Sequence, residues 1–146
     1  MNKKGITLLE LIVVMVIIAI GAVLMVPNIG SWLPHYRLRT AARDIVSTMR
    51  VAQMKAVASN VPYQVHFVDA NDTYVLQRQS GGLFVDDGAV QSLPSEITFN
   101  GTVFPNDNAV FNPNSTASAG SIILTNPRGN QKTISVFSTT GRVRVQ

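Results

Sequence analysis

Residues 6–26 form an unbroken apolar run, ITLLELIVVMVIIAIGAVLMV, in which Glu10 is the only charge. At 1.5 Å per residue such a helix is about 30 Å long, the thickness of a bilayer's hydrocarbon core. Lys3 and Lys4 stand just before it, which by the positive-inside rule keeps the N-terminus cytoplasmic and delivers the rest to the far side. A chain of 146 residues then has room for one modest core beyond this segment, not for two independent domains. With 46% hydrophobic and 14% charged residues the chain is not of a disordered type. The absence of cysteine excludes a disulfide scaffold, a zinc finger and thiol chemistry.

The formal charge of +4 is unevenly spread. In residues 1–60, Lys3, Lys4, Arg37, Arg39, Arg43, Arg50 and Lys55 outweigh Glu10 and Asp44 by five. In 61–146, five basic side chains meet six acidic ones, a balance of −1. Basicity therefore belongs to the N-terminal third, and bulk charge gives no argument for nucleic acid.

Pro27, Asn28, Gly30 and Pro34 predict a kink or a loosened helical stretch after the apolar run. A second helical pattern follows over about 38–59. There Leu38, Ala42, Ile45, Met49, Ala52 and Ala56 recur at spacings of three and four on one face, small enough for close packing. Arg39, Arg43 and Arg50 share another face. Past Asn60 the pattern turns to strands. Segments 63–68 and 73–78 read as a hairpin around Asp69-Ala70-Asn71-Asp72, with short pieces at 83–85, 97–100 and 110–111. Residues 112–120 lack an apolar period and read as a mobile loop, whereas 121–125, 132–137 and 142–145 predict a three-stranded meander. The expected class is α+β, a long N-terminal helix packed on a small antiparallel β-sheet or sandwich.

Two readings compete for the N-terminal segment. One is a secretory signal peptide removed after Gly21, with Ala19 and Gly21 as the small residues. Glu10 opposes it, because a carboxylate within a spanning helix costs about 2.5–3.5 kcal/mol on insertion scales and serves a removable signal in no way. A charge placed there is a functional residue awaiting a partner. The stretch Lys3-Lys4-Gly5 followed by Ile6-Thr7-Leu8-Leu9-Glu10-Leu11 resembles the class III signal of type IV pilins and pseudopilins. The resemblance implies cleavage by a prepilin peptidase after Gly5, N-methylation of the new terminal Ile6, and retention of the apolar helix. It further implies that Glu10 pairs with the N-terminal amine of a neighbouring subunit, an arrangement that costs less than either charge alone. Ile6 stands where phenylalanine is commonest in that family, a tolerated departure. Loss of residues 1–5 lowers the side-chain charge to +2, because Lys3 and Lys4 leave.

The tail FSTTGRVRVQ, residues 137–146, is similar to the ending of the FimT/GspH group of minor pilins and pseudopilins. That likeness implies four regions: leader 1–5, transmembrane and filament-core helix 6–26, periplasmic continuation 27–60 and antiparallel β domain 61–146. It also implies the partners: other pilins and pseudopilins through the N-terminal helix, the prepilin peptidase, and an inner-membrane assembly platform. The implied location is the bacterial inner membrane, single-pass, with a periplasmic head, and then a filament. The implied role is a minor pseudopilin of type II secretion, or a type IV pilus subunit, acting in initiation or at the tip. The alternative is a DNA-binding minor pilin of the FimT kind.

For that alternative, Gly141-Arg142-Val143-Arg144 resembles the ending associated with DNA binding in FimT-like proteins. On a strand Arg142 and Arg144 share one face, so both guanidiniums reach neighbouring phosphates, while Val143 and Val145 turn to the core. Arg128 and Lys132 are the other basic residues near in sequence. A plain edge strand kept soluble by arginine explains the same pattern. The Arg39/Arg43/Arg50 stripe suits an acidic lipid or partner, or a solvated helix face. Asp69, Asp72, Asp86 and Asp87 lack the spacing of a calcium loop and suit turns. His35 and His66 stand alone, no nucleophile elbow or phosphate-binding glycine motif occurs, and no cofactor or catalytic residue is expected.

Overall fold

The computed structural model describes residues 7–146, the side chains of 24–31 apart. The leader and the Gly5–Ile6 junction lie outside the described residues. Contacts divide the chain into two compact units meeting between Leu33 and Pro34.

The first helix, α1, covers Leu8–Ser59, and its assignment passes through Pro27 and Pro34, so neither proline ends it. In the first unit, large apolar side chains are exposed on every side of α1, from Leu8 through Ile12 and Val16 to Ile20 and Val23. A helix apolar all round has no solvent face and needs an apolar surrounding. Among the described residues no helix is long and apolar enough to cross a membrane. Ile6 and the side chains of 24–26, which complete the expected span, lie outside them.

In the second unit two antiparallel sheets enclose the C-terminal part of α1. One sheet has the order β3-β2-β1-β6, with β4 also pairing β2. Its strands are β1 (Tyr63–Val68), β2 (Thr73–Ser80), β3 (Leu83–Asp86), β4 (Gln91–Ser92) and β6 (Asn108–Phe111). The other has the order β5-β7-β8-β9, from β5 (Thr98–Thr102), β7 (Gly120–Thr125), β8 (Gln131–Val136) and β9 (Val143–Val145).

One core joins helix and sheets. Ile45, Met49, Ala52 and Ala56 are fully buried against Val65, Phe67 and Phe111 of the first sheet and Ile122, Leu124 and Ile134 of the second. Alanine stands at four buried helix positions, 41, 42, 52 and 56. Larger side chains from the sheets fill the space between. Phe67 anchors an aromatic group, edge-on to Phe99 at 5.7 Å and stacked with Phe104 at 6.0 Å between centroids. On β1, Gln64 is buried as well, and its Nε2 donates to Gln77 Oε1 at 2.7 Å. Gln77 Nε2 in turn donates to Asp86 Oδ1 at 2.9 Å, making a polar ladder across β1, β2 and β3.

The 63–68/73–78 hairpin and the terminal meander form as expected, with Tyr63 opposite Arg78 and Val136 opposite Val143. Segment 112–120 departs from expectation, because it is ordered. Asn112 and Thr116 exchange a backbone bond of 2.8 Å and a side-chain bond of 3.0 Å, and Asn114 Oδ1 accepts the Thr116 N–H at 3.2 Å. Ala117 is buried, with its N–H on the Ser138 carbonyl. A polar segment that satisfies its own backbone needs no apolar period to hold a shape.

Candidate functional site

Thr7 stands one residue before α1, and its hydroxyl accepts the Glu10 N–H at 3.3 Å. Thr7-x-x-Glu10 is the spacing of a capping box, and an anion in the first turn also gains about 0.3–1 kcal/mol from the helix dipole. The Glu10 side chain is exposed. The expectation for it rests on its charge and on the resemblance of the leader, although the Thr-x-x-Glu spacing is equally legible.

At the other end of the chain, Gly141 is buried in a tight turn. Its N–H donates to the Phe137 carbonyl at 2.9 Å, and Phe137 N–H donates to the Arg142 carbonyl at 3.0 Å. Its φ of +60° is left-handed, and a Cβ there would lie 2.6 Å from Gln53 Nε2 and 3.0 Å from the Ser115 carbonyl oxygen. The glycine of Gly141-Arg142 is therefore demanded by packing.

Arg142 belongs to that turn, with its N–H on Thr140 Oγ1, and β9 itself starts at Val143. Arg142 and Arg144 are both exposed and carry no ion pair among the described residues. Val143 packs on the core as expected. Val145 does not: it is 40% exposed and lines a groove. β9 ends beyond the sheet's covered centre, where α1 presents arginine and alanine.

That groove, of about 470 Å³, is bounded by Arg39, Ala42 and Arg43 of α1, Lys132 of β8 and Val145 of β9. Gln53 Nε2 also holds the Thr140 carbonyl at 3.1 Å. With Thr140 held at Gln53 and Val145 lining a groove with Arg39 and Arg43, residues 140–145 run antiparallel to the helix. Two arginines of the stripe, Arg39 and Arg43, and the tail, far apart in sequence, meet at one groove. Arg39 and Arg43, rather than residues near in sequence, supply the basic side chains around the end of β9.

Of the other three helix cations, Arg50 is exposed and Arg37 and Lys55 are neutralised within the unit. Arg37 Nη1 donates to Glu96 Oε2, and Lys55 Nζ to Asp87 Oδ2 at 2.7 Å with Tyr63's ring 5.8 Å away. The Lys55 hydrogen bond holds Asp87 below the usual carboxylate range, helped by the Arg78 charge and the Tyr63 hydroxyl against burial. Asp72, left-handed at φ 51°, accepts the Phe99 N–H at 2.8 Å and ties the hairpin to β5. Burial, then the charges of Asp107 and Asp72, push Asp69 up. His66 Nδ1 sits 2.8 Å from Asn108 Oδ1 within the sheet. Among the described residues no three of His, Cys, Asp and Glu converge as metal ligands would.

The family model for the type II transport protein GspH matches residues 41–141. That for the prokaryotic N-terminal methylation motif matches residues 1–26. Among solved structures, the chain is similar to the minor pseudopilin EpsH of the Vibrio cholerae type 2 secretion system. That likeness has TM-score 0.65 at 7% identity, covering 75% of this chain and 96% of that one. It is also similar to the Pseudomonas aeruginosa type IV minor pilin FimU, at TM-score 0.62 and 14% identity over 77% and 90% of the two chains. At such identities the likeness is one of fold. No curated protein matches the sequence. The shared fold is the one built above, an N-terminal helix packed on antiparallel sheets, and the chain belongs to the GspH family of pseudopilins and minor pilins.

Proposed function

We propose that the chain is a minor pseudopilin, made with leader 1–5, cut after Gly5 by a prepilin peptidase and methylated on Ile6. Residues 6–26 then serve as inner-membrane anchor and filament core, 27–60 as periplasmic stem and 61–146 as β head. Its partners are other pilin-like subunits, the peptidase and the inner-membrane assembly platform. It acts without catalysis, in initiating a type II pseudopilus or type IV pilus or at its tip. One observation carries this reading: the described helix from Leu8 to Val23 is apolar on all sides except for Glu10 in its first turn. Such a surface is stable only in lipid or packed among similar helices, and a lone carboxylate there finds its counter-charge in a neighbour's terminal amine.

The bond of the Glu10 N–H to the Thr7 hydroxyl sets the form of the test. Glu10→Gln keeps that backbone bond and removes the charge, whereas Thr7→Ala weakens the cap and keeps the charge. The expected result is that Glu10→Gln inserts but is absent from sheared filaments, while Thr7→Ala assembles. Equal recovery of Glu10→Gln and the parent chain in filaments overturns the register role.

A second reading, capture of DNA, is favoured by Arg142 and Arg144, exposed at an edge without carboxylate partners among the described residues. Arginine contacts to phosphate need no base reading. Binding of this kind weakens steeply with salt. If it operates, the Arg142→Ala/Arg144→Ala chain loses DNA retention at low salt. Unchanged retention ends that reading.

A further inference from the structure

β9 is the last strand of its sheet, and its ladder bonds go one way. Phe137 N–H donates to the Arg142 carbonyl, Thr133 and Gln146 exchange two bonds, and Ser135 stands opposite Arg144. Bonded and non-bonded pairs alternate along an antiparallel ladder. Arg142, Arg144 and Gln146 therefore turn their backbone groups toward β8, and Val143 and Val145 turn theirs outward. Among the described residues no hydrogen bond meets the N–H or C=O of Val143 or Val145. Two other edges are closed. On β6, the Ser118 N–H donates to the Val110 carbonyl and its hydroxyl accepts the Val110 N–H. On β5, Asp72 takes the Phe99 N–H and the register breaks before Thr102.

Beside the open edge of β9 lies the groove of about 470 Å³. Lys132 is two residues from Ile134, and Ile134 stands opposite Val145, so all three share one face of the sheet. Arg39, Ala42 and Arg43 of α1 bound the same groove. No ion pair or hydrogen bond engages Arg39, Arg43 or Lys132 among the described residues. Three like charges around one groove repel one another, and an incoming anion turns that cost into attraction.

An extended peptide segment laid along β9 meets both demands. Its backbone alternates donors and acceptors, and so satisfies the N–H and the C=O of Val143 and of Val145. A phosphate backbone only accepts, and leaves the two carbonyls unmet. If the antiparallel order of the sheet continues, the residue opposite Val145 points into the groove among the three cations. The residue opposite Arg144 lies beside that guanidinium on the outer face. The residue opposite Val143 shares the face on which Val143 packs against the core. Taken from its N-terminus, the segment is thus acidic, acidic, apolar. The chain's own adjacent carboxylates, Asp86-Asp87, are followed by Gly88, and Asp87 already holds Lys55. A second copy therefore does not supply the segment.

We infer that the open edge of β9, together with the Arg39/Arg43/Lys132 groove, binds an acidic-acidic-apolar extended segment of a different protein by strand addition. The inference does not rest on the filament reading: that one fails at Glu10, through incorporation, and this one fails at the backbone of Val143 and Val145.

A fluorescent peptide, Thr-Glu-Glu-Val-Thr blocked at both ends, tests it by anisotropy against the full chain in detergent at low salt. Expected is saturable binding that is lost when lysine replaces both glutamates. Methyl groups on the amides of the first Glu and the Val, which face Val145 and Val143, abolish it. A methyl on the second Glu, whose amide faces away, leaves it. Val145→Pro removes one outward N–H and no ladder bond, and Arg43→Glu reverses a rim charge; each weakens binding about tenfold. The inference is overturned if the peptide does not bind, if the two methylation patterns behave alike, or if Val145→Pro, folded by circular dichroism, binds as the parent does. Binding of a DNA duplex but not of the peptide assigns the edge to nucleic acid. Release of the peptide as chain concentration rises assigns it to a second copy. Either result overturns the inference as well.

Discussion

Gln53 on α1 and Thr140 in the last turn are joined by a hydrogen bond of 3.1 Å, and Gly141 fits beneath it with no room for a side chain. A methyl group at 141 forces Gln53 aside, crowds the Ser115 carbonyl and holds an L-residue at φ +60°. Gly141→Ala is therefore expected to lower the stability of the β head by about 1–3 kcal/mol. Thermal unfolding of the full chain in detergent, followed by the β-sheet circular dichroism, measures it. An unchanged midpoint means that the amide swings away at no cost.

Asp87 gives the fold an acid-sensitive contact. Its folded pKa is held down by the Lys55 hydrogen bond, so its contribution is present above the ordinary carboxylate range. That contribution is lost as pH falls through the lowered value. Asp87→Asn is expected to cost under about 1 kcal/mol at neutral pH, the pair being partly exposed. The difference between variant and parent should vanish near pH ~2, well under the carboxylate range. A gap in unfolding midpoint that persists in acid rules out the ion pair as its source.

Asp69 works with the opposite sign. Burial and the charges of Asp107 and Asp72 raise its folded pKa, so its favourable contribution exists below the ordinary carboxylate range and disappears as pH rises through the raised value. At neutral pH the charge is a small liability. Asp69→Asn should stabilise by up to about 0.5 kcal/mol there, a small gain because the turn only partly desolvates the carboxylate. The gain should shrink in acid. A lower midpoint at neutral pH contradicts this account.

The helix face was open to reading because burial follows a simple period: all six residues chosen by spacing, Leu38 to Ala56, are buried. The hairpin and the meander were legible for the same reason, with turn residues marking their ends. Segment 112–120 was not, since its order comes from side-chain bonds of Asn112, Asn114 and Thr116 that have no periodic signature. Nor were the ion pairs, whose members lie 59 and 32 residues apart. The meeting of the arginine stripe with the tail escaped for a related reason. It depends on which way β9 is laid along α1, and that is decided by Gln53, Thr140 and Gly141 together. Each residue was visible, but their convergence is a property of the packed chain.

The seating of β9 has a mechanical consequence. Val136, Ser135 and Ile134 pair with Val143, Arg144 and Val145, and Thr133 exchanges two backbone bonds with Gln146. These bonds run across the strand, so a pull along β9 loads them at the same moment and not one by one. Whatever grips Arg142 or Arg144 therefore pulls against the whole ladder in shear, and Gln53 carries part of that tension directly into the helix.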